Sequence, residues 1–323
     1  MPPQTSKKQP TDPVVTVTLN PAIDRVIEVP GLKLGGHLSG RQRSRTPAGK
    51  GVNVSRTLAQ LGHPSIATGF VGRDRLTEYE ADLPVPQVQP QFLGIDGAMR
   101  ENVTLVDRQT HTETHIRDRG PDVAEADLER MAKKLNLLAR ADRVMVLAGS
   151  LPPGMSVEQF ARLVNICRQA SARVALDVPG EVLAAVGDGP LWVIKPNLEE
   201  LSVLLGRPID DDEQIIAAGR ELSRRIHVVM VSRGSAGGYV FVRESALIGQ
   251  VDLDSRQVVS TVGCGDALLA GFIAAQLEGR DVADSYRYAL AVASAAAVQT
   301  RPGYVEPADV ERFLQQTAVE STG

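Results

Sequence analysis

Aromatic residues are scarce in this chain of 323 residues, since Phe, Tyr and Trp together make up 4% of it and tryptophan occurs once. The interior must therefore be built from Ala, Val, Leu and Ile, and the hydrophobic share of 43% is ordinary for a globular protein. Long apolar runs are also missing, which excludes a helical membrane span. A chain of this length can bury one large core or two modest ones.

Cysteine and net charge are low as well. The two cysteines, Cys167 and Cys264, lie far apart and lack the spacing of metal ligands, which excludes structural zinc and favours a reducing, cytoplasmic setting. A net charge of −4 gives no support for a nucleic-acid or membrane partner. Residues 1–13 are polar and proline-rich without the apolar segment of a signal peptide, and we predict a disordered N-terminal lead-in there.

Alternating helical and apolar segments predict an α/β fold. Short continuous apolar runs are typical of strands buried on both faces, and segments with helical spacing of apolar residues separate them. This order predicts a mostly parallel sheet between two layers of helices. The runs are Val144–Leu147, Val174–Leu176, Trp192–Ile194 and Val228–Val231.

A single domain over residues 14–318 accounts for this pattern, because no linker, repeat or low-complexity block interrupts it. Two insertions at about 24–46 and 98–118 carry short β-prone segments, and we expect them to form a small β lid outside the main sheet. The segment 76–93 is left without a prediction, since its prolines would interrupt any long element.

The most informative motif is Thr261-Val262-Gly263-Cys264-Gly265-Asp266-Ala267, which precedes an apolar helical segment. Glycines at a helix N-terminus let the backbone approach a ligand, and the first helical N–H groups together with the helix dipole bind anions. A carboxylate at this place could take a proton from a hydroxyl that attacks a phosphoryl group held by those N–H groups. The structural alternative is that Asp266 only caps the helix or complements its dipole.

Four other polar motifs follow predicted strands. Ligands of parallel α/β sheets bind at the carboxyl ends of the strands, so these motifs are predicted to meet Asp266 at one edge of the sheet. They are Asn20–Asp24, Ala148–Pro152, Lys195–Asn197 and Ser232–Gly234.

Several longer motifs share a characteristic order along the chain: Thr18–Asp24, Ala48–Val54, Arg100–Val103, Gly149–Gly154, Val193–Glu200 and Ser260–Asp266. Their order and spacing resemble the ribokinase-like (PfkB) family of carbohydrate kinases, from about Val14 to Val310. The likeness is to the branch whose members phosphorylate sugar phosphates. It implies a ribokinase-like three-layer sandwich with a mostly parallel central sheet and a small β lid.

The resemblance implies catalytic and sugar-binding roles. Asp266 would be the general base, and the backbone N–H groups before it would hold the transferring phosphoryl group. Asp24 and Asn53 would bind sugar hydroxyls, and positively charged side chains would bind the sugar phosphate. The expected catalytic residues are Gly263, Cys264, Gly265 and Asp266, and the expected substrate ligands are Asp24, Gly49, Lys50, Asn53, Arg100 and Ser150.

The resemblance also implies ATP and Mg²⁺ as cofactors. Lys195 would reach the nucleotide phosphates. Asn197 and Glu200, three residues apart on one helix face, would organise Mg²⁺ through water, although the same pair is also typical of a helix cap. The expected nucleotide-binding residues are Lys195, Asn197, Ser232, Gly234 and Gly237, and the expected metal-site residues are Asn197 and Glu200.

Three positions depart from the family pattern. Met99 stands where threonine is usual and Ala148 where serine is frequent, so the substrate site lacks two hydroxyl groups. Cys264 replaces the usual alanine. Because a thiol at a helix N-terminus can have a lowered pKa, we expect alkylation of Cys264 to inactivate the protein and ATP to protect it.

ATP-dependent phosphorylation of a ketohexose phosphate to a bisphosphate is the expected activity. Fructose 1-phosphate, converted to fructose 1,6-bisphosphate, is the first expectation, with tagatose 6-phosphate and fructose 6-phosphate as alternatives. A kinase of an unphosphorylated sugar or nucleoside fits Lys50 and Arg100 less well, and a non-catalytic sugar-phosphate sensor fits Asp266 less well. Lid strands of the family often pair between subunits, which implies a homodimer through the lid.

Overall fold

A computed structural model describes residues 12–84, 86–110, 112–186 and 189–322. The predicted lead-in, residues 1–13, falls almost entirely outside these described residues. The strands are β1 (Val14–Thr18), β2 (Ala22–Glu28), β3 (Arg41–Ala48), β4 (Ser65–Gly72), β5 (Val88–Pro90), β6 (Leu93–Ile95), β7 (Glu101–Asp107), β8 (Thr112–Ile116), β9 (Val144–Ala148), β10 (Arg173–Asp177), β11 (Leu191–Ile194), β12 (Ile226–Ser232), β13 (Gly238–Val242), β14 (Ser245–Val251) and β15 (Thr317–Thr322).

Helices alternate with most of the strands of the large sheet. In the described part of the chain, no helix is both long and apolar enough to cross a membrane. The helices are α1 (Lys50–Gln60), α2 (Leu76–Ala81), α3 (Glu125–Leu138), α4 (Val157–Gln169), α5 (Gly180–Ala185), α6 (Leu198–Leu205), α7 (Asp212–Ser223), α8 (Cys264–Leu277), α9 (Val282–Ala297) and α10 (Pro307–Gln315).

One large sheet of eleven strands forms the centre of the described structure. The strands run parallel from β5 through β4, β1, β9, β10 and β11 to β12, and β6 also pairs in parallel with β4. The predicted α/β fold with a mostly parallel sheet is therefore confirmed.

Both faces of this sheet are covered by helices, and β9 shows how the sequence encodes this. Because successive side chains of a strand point to opposite faces, its apolar run supplies two cores at once. Met145 and Leu147 join the core that includes α3 to α7. Val144 and Val146 join the core that includes α1, α8 and α9. A strand buried on both faces has no polar alternation, as the sequence shows.

The strands at the β15 side of the large sheet are antiparallel, and this part of the fold was not among the predictions from the sequence. β13, β14 and β15 follow β12 as antiparallel neighbours. The two-residue turn between β13 and β14 consists of Arg243 and Glu244, both with positive φ. Such turns usually contain Asn or Gly, so the usual hairpin signal is missing. The last strand ends at Thr322, beyond the domain end expected at residue 318.

A separate four-stranded sheet, in the order β3-β2-β7-β8, is built from the two expected insertions. We refer to it as the small sheet. Arg45 of β3 pairs with Glu101 of β7 and with Glu78 of α2, which connects the small sheet to the main body. Such partly exposed ion pairs contribute about 0–1 kcal/mol each, so they orient this sheet more than they stabilise it.

The segment 76–93, whose conformation was left without a prediction, contains α2 and β5. Tyr79 of α2 packs edge-on against Phe92 with ring centroids 5.1 Å apart. Its hydroxyl donates a hydrogen bond to Ala48 O at 2.8 Å. These tertiary contacts hold a stretch whose three prolines obscure any local periodicity.

Gly271 lies where α8 crosses α9, and a Cβ there would lie 2.9 Å from Val292 Cβ and 3.0 Å from Ala289 Cα. We expect Gly271→Leu to lower the free energy of unfolding by about 1–3 kcal/mol, because the crossing has no room for a larger side chain. Urea unfolding measures this. Ala126→Leu on the exposed side of α3 is the matched control, and equal losses in both variants would contradict a tight α8–α9 contact.

Candidate active site

The N-terminus of α8 offers free hydrogen-bond donors. Gly263, which precedes the helix, has a left-handed backbone with φ +84°, and a Cβ there would lie 3.1 Å from Pro302 Cβ. Among the hydrogen bonds of the described residues, the N–H groups of Gly265 and Asp266 have no backbone acceptor. These donors, at the positive end of the helix dipole, are available to an anion. We call this place the α8 mouth.

Asp266 is buried in the first turn of α8, with 6% of its surface exposed. Its Oδ2 accepts a hydrogen bond from Asn53 Nδ2 at 2.8 Å. Burial, and secondly the charge of Asp177, raise the pKa of Asp266 to about 7. The Asn53 amide and nearby lysines act in the opposite direction. A carboxyl group with this pKa can accept a proton near neutral pH, as a general base must.

A second buried carboxylate, Asp177 at the end of β10, joins two lysines. Its Oδ1 lies 2.9 Å from Lys50 Nζ and its Oδ2 lies 3.2 Å from Lys195 Nζ. Burial alone would raise the pKa of Asp177, but Lys195 and then Lys50 hold it below its usual value. Asp177 is not among the site residues predicted from the sequence. The available signal was a carboxylate that directly follows the apolar run Val174–Leu176 at a strand's carboxyl end.

Lys195 reaches the α8 mouth because residue 265 is glycine. A Cβ at Gly265 would lie 3.1 Å from Lys195 Nζ. Lys195 is itself buried, with 5% of its surface exposed. Its ammonium group is therefore held in a small space beside the free N–H groups, and a larger side chain at position 265 would displace it.

Gly49 precedes α1, the helix that begins with Lys50 and carries Asn53. Besides the amide nitrogen that donates to Asp266, Asn53 has a buried Oδ1 without a hydrogen-bond partner in the described structure. An unpaired buried acceptor is costly, so this oxygen is suited to accept a hydrogen bond from a ligand hydroxyl. The start of α1 thus meets the α8 mouth through the contact of Asn53 with Asp266.

Asp24, Asn102 and Arg100 form a second polar cluster, in the small sheet. Asp24 of β2 is in register with Asn102 of β7, whose Nδ2 donates to Asp24 Oδ1 at 2.8 Å. Burial raises the pKa of Asp24 and lowers that of Arg100. The hydrogen bonds of Arg100 are long, at 3.4 Å to Asn102 Oδ1 and 3.5 Å to Asn20 O. Its guanidinium donors are thus only weakly engaged.

Asn20 connects this cluster to the end of β9. Its Nδ2 lies 3.4 Å from Ser150 Oγ and 3.2 Å from Leu151 O. Arg100 and Ser150, two predicted substrate ligands, therefore share Asn20 as a neighbour. Neither Asn20 nor Asn102 is among the predicted ligands, although both lie within the motifs that carry the family resemblance.

Asn197 and Glu200 form a capping box at the start of α6. Asn197 Oδ1 accepts from Glu200 N at 2.8 Å, and Glu200 Oε2 accepts from Asn197 N at 3.0 Å. The helix cap, which the same spacing indicates, is thus present, and the metal role stays a prediction. Glu200 Oε1 lies 3.7 Å from Lys50 Nζ, which places this helix start beside the Asp177 cluster.

Ser232 lies at the end of the neighbouring strand and forms an isolated bridge with Asn197. Gly234 and Gly237, which follow it, have left-handed backbones and form the turn between β12 and β13. The turn itself explains these glycines. Of the predicted nucleotide ligands, Ser232 therefore joins the site through Asn197, whereas contact of the two glycines with a nucleotide stays a prediction.

Phosphoryl transfer is the chemistry that this arrangement can support. A buried carboxylate with a near-neutral pKa lies beside free helix N–H groups, and lysines in the same space can offset negative charge. Polar side chains from the small sheet and from β9 form a neighbouring cluster suited to hydroxyl and phosphate groups. Fold and site together define an α/β kinase.

Comparison with known proteins identifies the family. The family model described as "pfkB family carbohydrate kinase" matches residues 15–309, and the chain belongs to this family. The 1-phosphofructokinase of Vibrio cholerae is 35% identical over 312 residues, which cover 96% of this chain and 98% of that protein. The predicted family and the carbohydrate-kinase activity are therefore confirmed.

Solved structures agree with the fold. Phosphofructokinase-2 from Escherichia coli, in complex with substrates and products, matches with a TM-score of 0.85 and 24% identity, covering 94% of this chain and 99% of that chain. Arabidopsis thaliana ribokinase, complexed with ribose and ATP, matches with a TM-score of 0.70 and 22% identity, covering 94% and 99%. At these identities the likeness shows the fold alone, and the predicted ribokinase-like sandwich is confirmed.

The structure contradicts the lowered pKa expected for Cys264. Burial, and secondly the charge of Asp266, raise the pKa of this thiol to about 11, although a backbone hydrogen bond acts in the opposite direction. The expectation considered only the helix dipole. It omitted a carboxylate two residues further along the same helical turn, which disfavours a thiolate.

We therefore expect Cys264 to resist alkylation near neutral pH. With a pKa of about 11, it holds roughly three-hundredfold less thiolate at pH 7.5 than a free cysteine, whose pKa is about 8.5. Iodoacetamide labelling followed by peptide mass spectrometry separates it from Cys167, whose pKa is raised by burial to about 12. The rate at Cys264 should keep rising up to pH 10, and fast labelling at pH 7.5 would contradict the raised pKa.

Proposed function

We propose that the protein transfers the γ-phosphoryl group of ATP to fructose 1-phosphate, giving fructose 1,6-bisphosphate and ADP. One observation carries the proposal: the buried Asp266, with a pKa of about 7, shares the α8 mouth with free N–H groups and Lys195. The choice of fructose 1-phosphate rests on the name of the Vibrio cholerae relative, which matches nearly the whole chain.

In the proposed reaction, the sugar hydroxyl gives its proton to Asp266 as its oxygen bonds to the γ-phosphorus. The bond from that phosphorus to the β–γ bridging oxygen breaks, and ADP leaves with the electron pair. The N–H groups of Gly265 and Asp266 donate hydrogen bonds to the transferring group, and Lys195 offsets its charge. Asn53 orients the carboxylate through its amide and accepts a hydrogen bond from the sugar at its unpaired Oδ1.

The sugar phosphate is proposed to lie between the small sheet and the end of β9. Arg100 binds its phosphate, because the guanidinium donors are weakly engaged and match phosphate geometry. The charge of Arg117 also acts on both Asp24 and Arg100, so this cluster has a second cation nearby. Ser150 contributes a hydroxyl group, and Asp24 binds sugar hydroxyls. Lys50 and the adjoining Gly49 bind the end of the substrate that carries the reacting hydroxyl.

ATP is proposed to extend from the α8 mouth along Lys195, Asn197 and Ser232 towards the turn with Gly234 and Gly237. The described residues contain no group of three or more His, Cys, Asp or Glu side chains placed to hold a metal ion. The oxygen donors of Asn197 and Glu200 fit Mg²⁺ that keeps most of its water. Bound Mg²⁺ would neutralise part of the negative charge of the ATP phosphates.

We further propose one kinase domain in which the small sheet is a lid that excludes water from the sugar. Leu34, Leu38 and Ile116 of this region are large apolar residues that are exposed. A homodimer through the lid would cover them. The unpaired thiols of Cys167 and Cys264 fit the cytoplasm that we propose as its location.

The pH dependence of kcat/KM tests the base. Asp266 accepts a proton only when ionised, so activity should rise through its pKa of about 7, and roughly 3% of the maximum should remain at pH 5.5. A coupled assay of ADP release over pH 5.5–9, at saturating ATP, measures this.

Asp266→Asn should reduce kcat by about 10²–10⁴-fold while calorimetry still detects sugar-phosphate binding. A fully active Asp266→Asn variant would refute the proposed base.

Arg100→Ala should raise the KM for fructose 1-phosphate by about 10–100-fold, since a hydrogen bond to a charged group contributes about 1.5–3 kcal/mol. The KM for ATP should stay unchanged. Arg43→Ala, which removes a small-sheet arginine paired with Glu28, is the matched control. An unchanged KM in Arg100→Ala would favour a substrate without a phosphate group.

A substrate panel separates the remaining alternatives. We expect the highest kcat/KM with fructose 1-phosphate when ATP consumption is compared for fructose 1-phosphate, fructose 6-phosphate, tagatose 6-phosphate, fructose and ribose. A preference for fructose or ribose would overturn the phosphosugar assignment. Binding of a sugar phosphate without any turnover would instead indicate a sensor.

A further inference from the structure

A cavity of about 250 Å³ lies at the amino ends of β9 and β10, whereas the candidate active site lies at the carboxyl ends of the strands. Residues 141–144, Arg173 and Asp12 line it, together with Gln276 and Leu277 from the end of α8. The cavity is therefore a separate place on the molecule, and nothing in the kinase reaction uses it.

Arg143 places an incompletely satisfied cation in this cavity. Its side chain is 8% exposed, and Nη2 lies 3.6 Å from Asp12 Oδ2. Nη1 donates to Leu138 O at 2.8 Å. Nε is buried and has no hydrogen-bond partner among the described residues. A buried donor of a charged group without an acceptor is costly, so a ligand that supplies one would be stabilised here.

Positive charge exceeds negative charge around the cavity. Arg140 and Arg143 both pair with the single carboxylate of Asp12, and Arg173 has Asp142 as its neighbouring acid. In and beside the cavity, three guanidinium groups thus share two carboxylates, with Arg140 next to the lining through its pair with Asp12. Burial lowers the pKa of Arg143, and the charge of Arg140 lowers it further. The protein groups therefore compensate these cations incompletely.

We propose that this cavity binds a small anion that carries a phosphate or carboxylate group, held by Arg143 and Arg173. The planar guanidinium fork matches both groups. The volume of about 250 Å³ is below the range of about 300–1,000 Å³ typical of drug-sized ligands, which favours a compact anion over a nucleotide. The carboxylate of Asp12 competes with the ligand, because it already contacts Arg143.

The only tryptophan of the chain reports on this site. Arg173 Cζ lies 4.9 Å from the centroid of the Trp192 ring. A ligand that draws the Arg173 guanidinium towards an anion changes the cation–π contact and therefore the fluorescence of Trp192. The protein needs no added label for a titration.

The test is a titration of the full-length protein with inorganic phosphate and, separately, with citrate at constant ionic strength. We expect a saturable change in Trp192 fluorescence, which reports on this cavity and not on phosphate bound at the active site. The two probes distinguish a phosphate ligand from a carboxylate ligand. Arg100→Ala is titrated in parallel, because it weakens phosphate binding at the proposed active site and should leave the Trp192 response intact.

Two variants address the cavity directly. Arg143→Met should weaken anion binding at least about tenfold, as expected for loss of a charge-assisted hydrogen bond. If that buried variant does not fold, Asp12→Asn at the exposed rim of the cavity provides the test instead. This variant should strengthen anion binding several-fold, because it removes the competing carboxylate. Glu129→Gln, which breaks the surface pair with Arg162, is the matched control and should change nothing.

The absence of any saturable response to both probes would overturn the proposal. So would a response that disappears in Arg100→Ala, because it would then come from the active site. Unchanged affinity in Asp12→Asn would show that the anion does not bind at Arg143.

Discussion

The contact of one buried carboxylate with two lysines is the interaction on which this site depends. Asp177 draws both Lys50 and Lys195 towards itself, with Nζ–O distances of 2.9 and 3.2 Å. The lysines therefore compensate the neighbouring Asp266 only partly, and the charge of Asp177 itself helps to raise the pKa of Asp266. Burial raises the pKa of Asp266 most, and a group that makes no contact with the reacting atoms in the proposed mechanism adds to that rise.

Parallel strands make this cluster possible, because their carboxyl ends meet at one edge. Asp177 ends β10, Lys195 follows β11 and Ser232 ends β12, while the starts of α1 and α8 point to the same edge. Asn53 and Asp266 touch across 213 positions of sequence. No local segment could form this site, so its chemistry exists only when the whole sheet is assembled.

Features that depend on local sequence were predictable, and those that depend on distant neighbours were not. Continuous apolar runs predicted the parallel strands, and the glycines around Asp266 predicted the helix start that forms the α8 mouth. The β13–β14 hairpin escaped prediction because its turn, Arg243–Glu244, lacks the usual residues. The raised pKa of Cys264 depends on burial and on Asp266, and burial cannot be deduced from the position of a residue at a helix start.

The two lysines that contact Asp177 differ in solvent exposure, and this difference affects the proposed catalysis. The Lys195 side chain is 6% exposed and remains at the α8 mouth, whereas that of Lys50 is 37% exposed and can turn towards a phosphate. When Lys50 leaves Asp177, that carboxylate is less neutralised and its repulsion of the Asp266 charge grows. The negative charge of bound phosphates acts in the same direction. In the proposed reaction, substrate binding would thus make Asp266 more basic where a sugar hydroxyl must lose its proton.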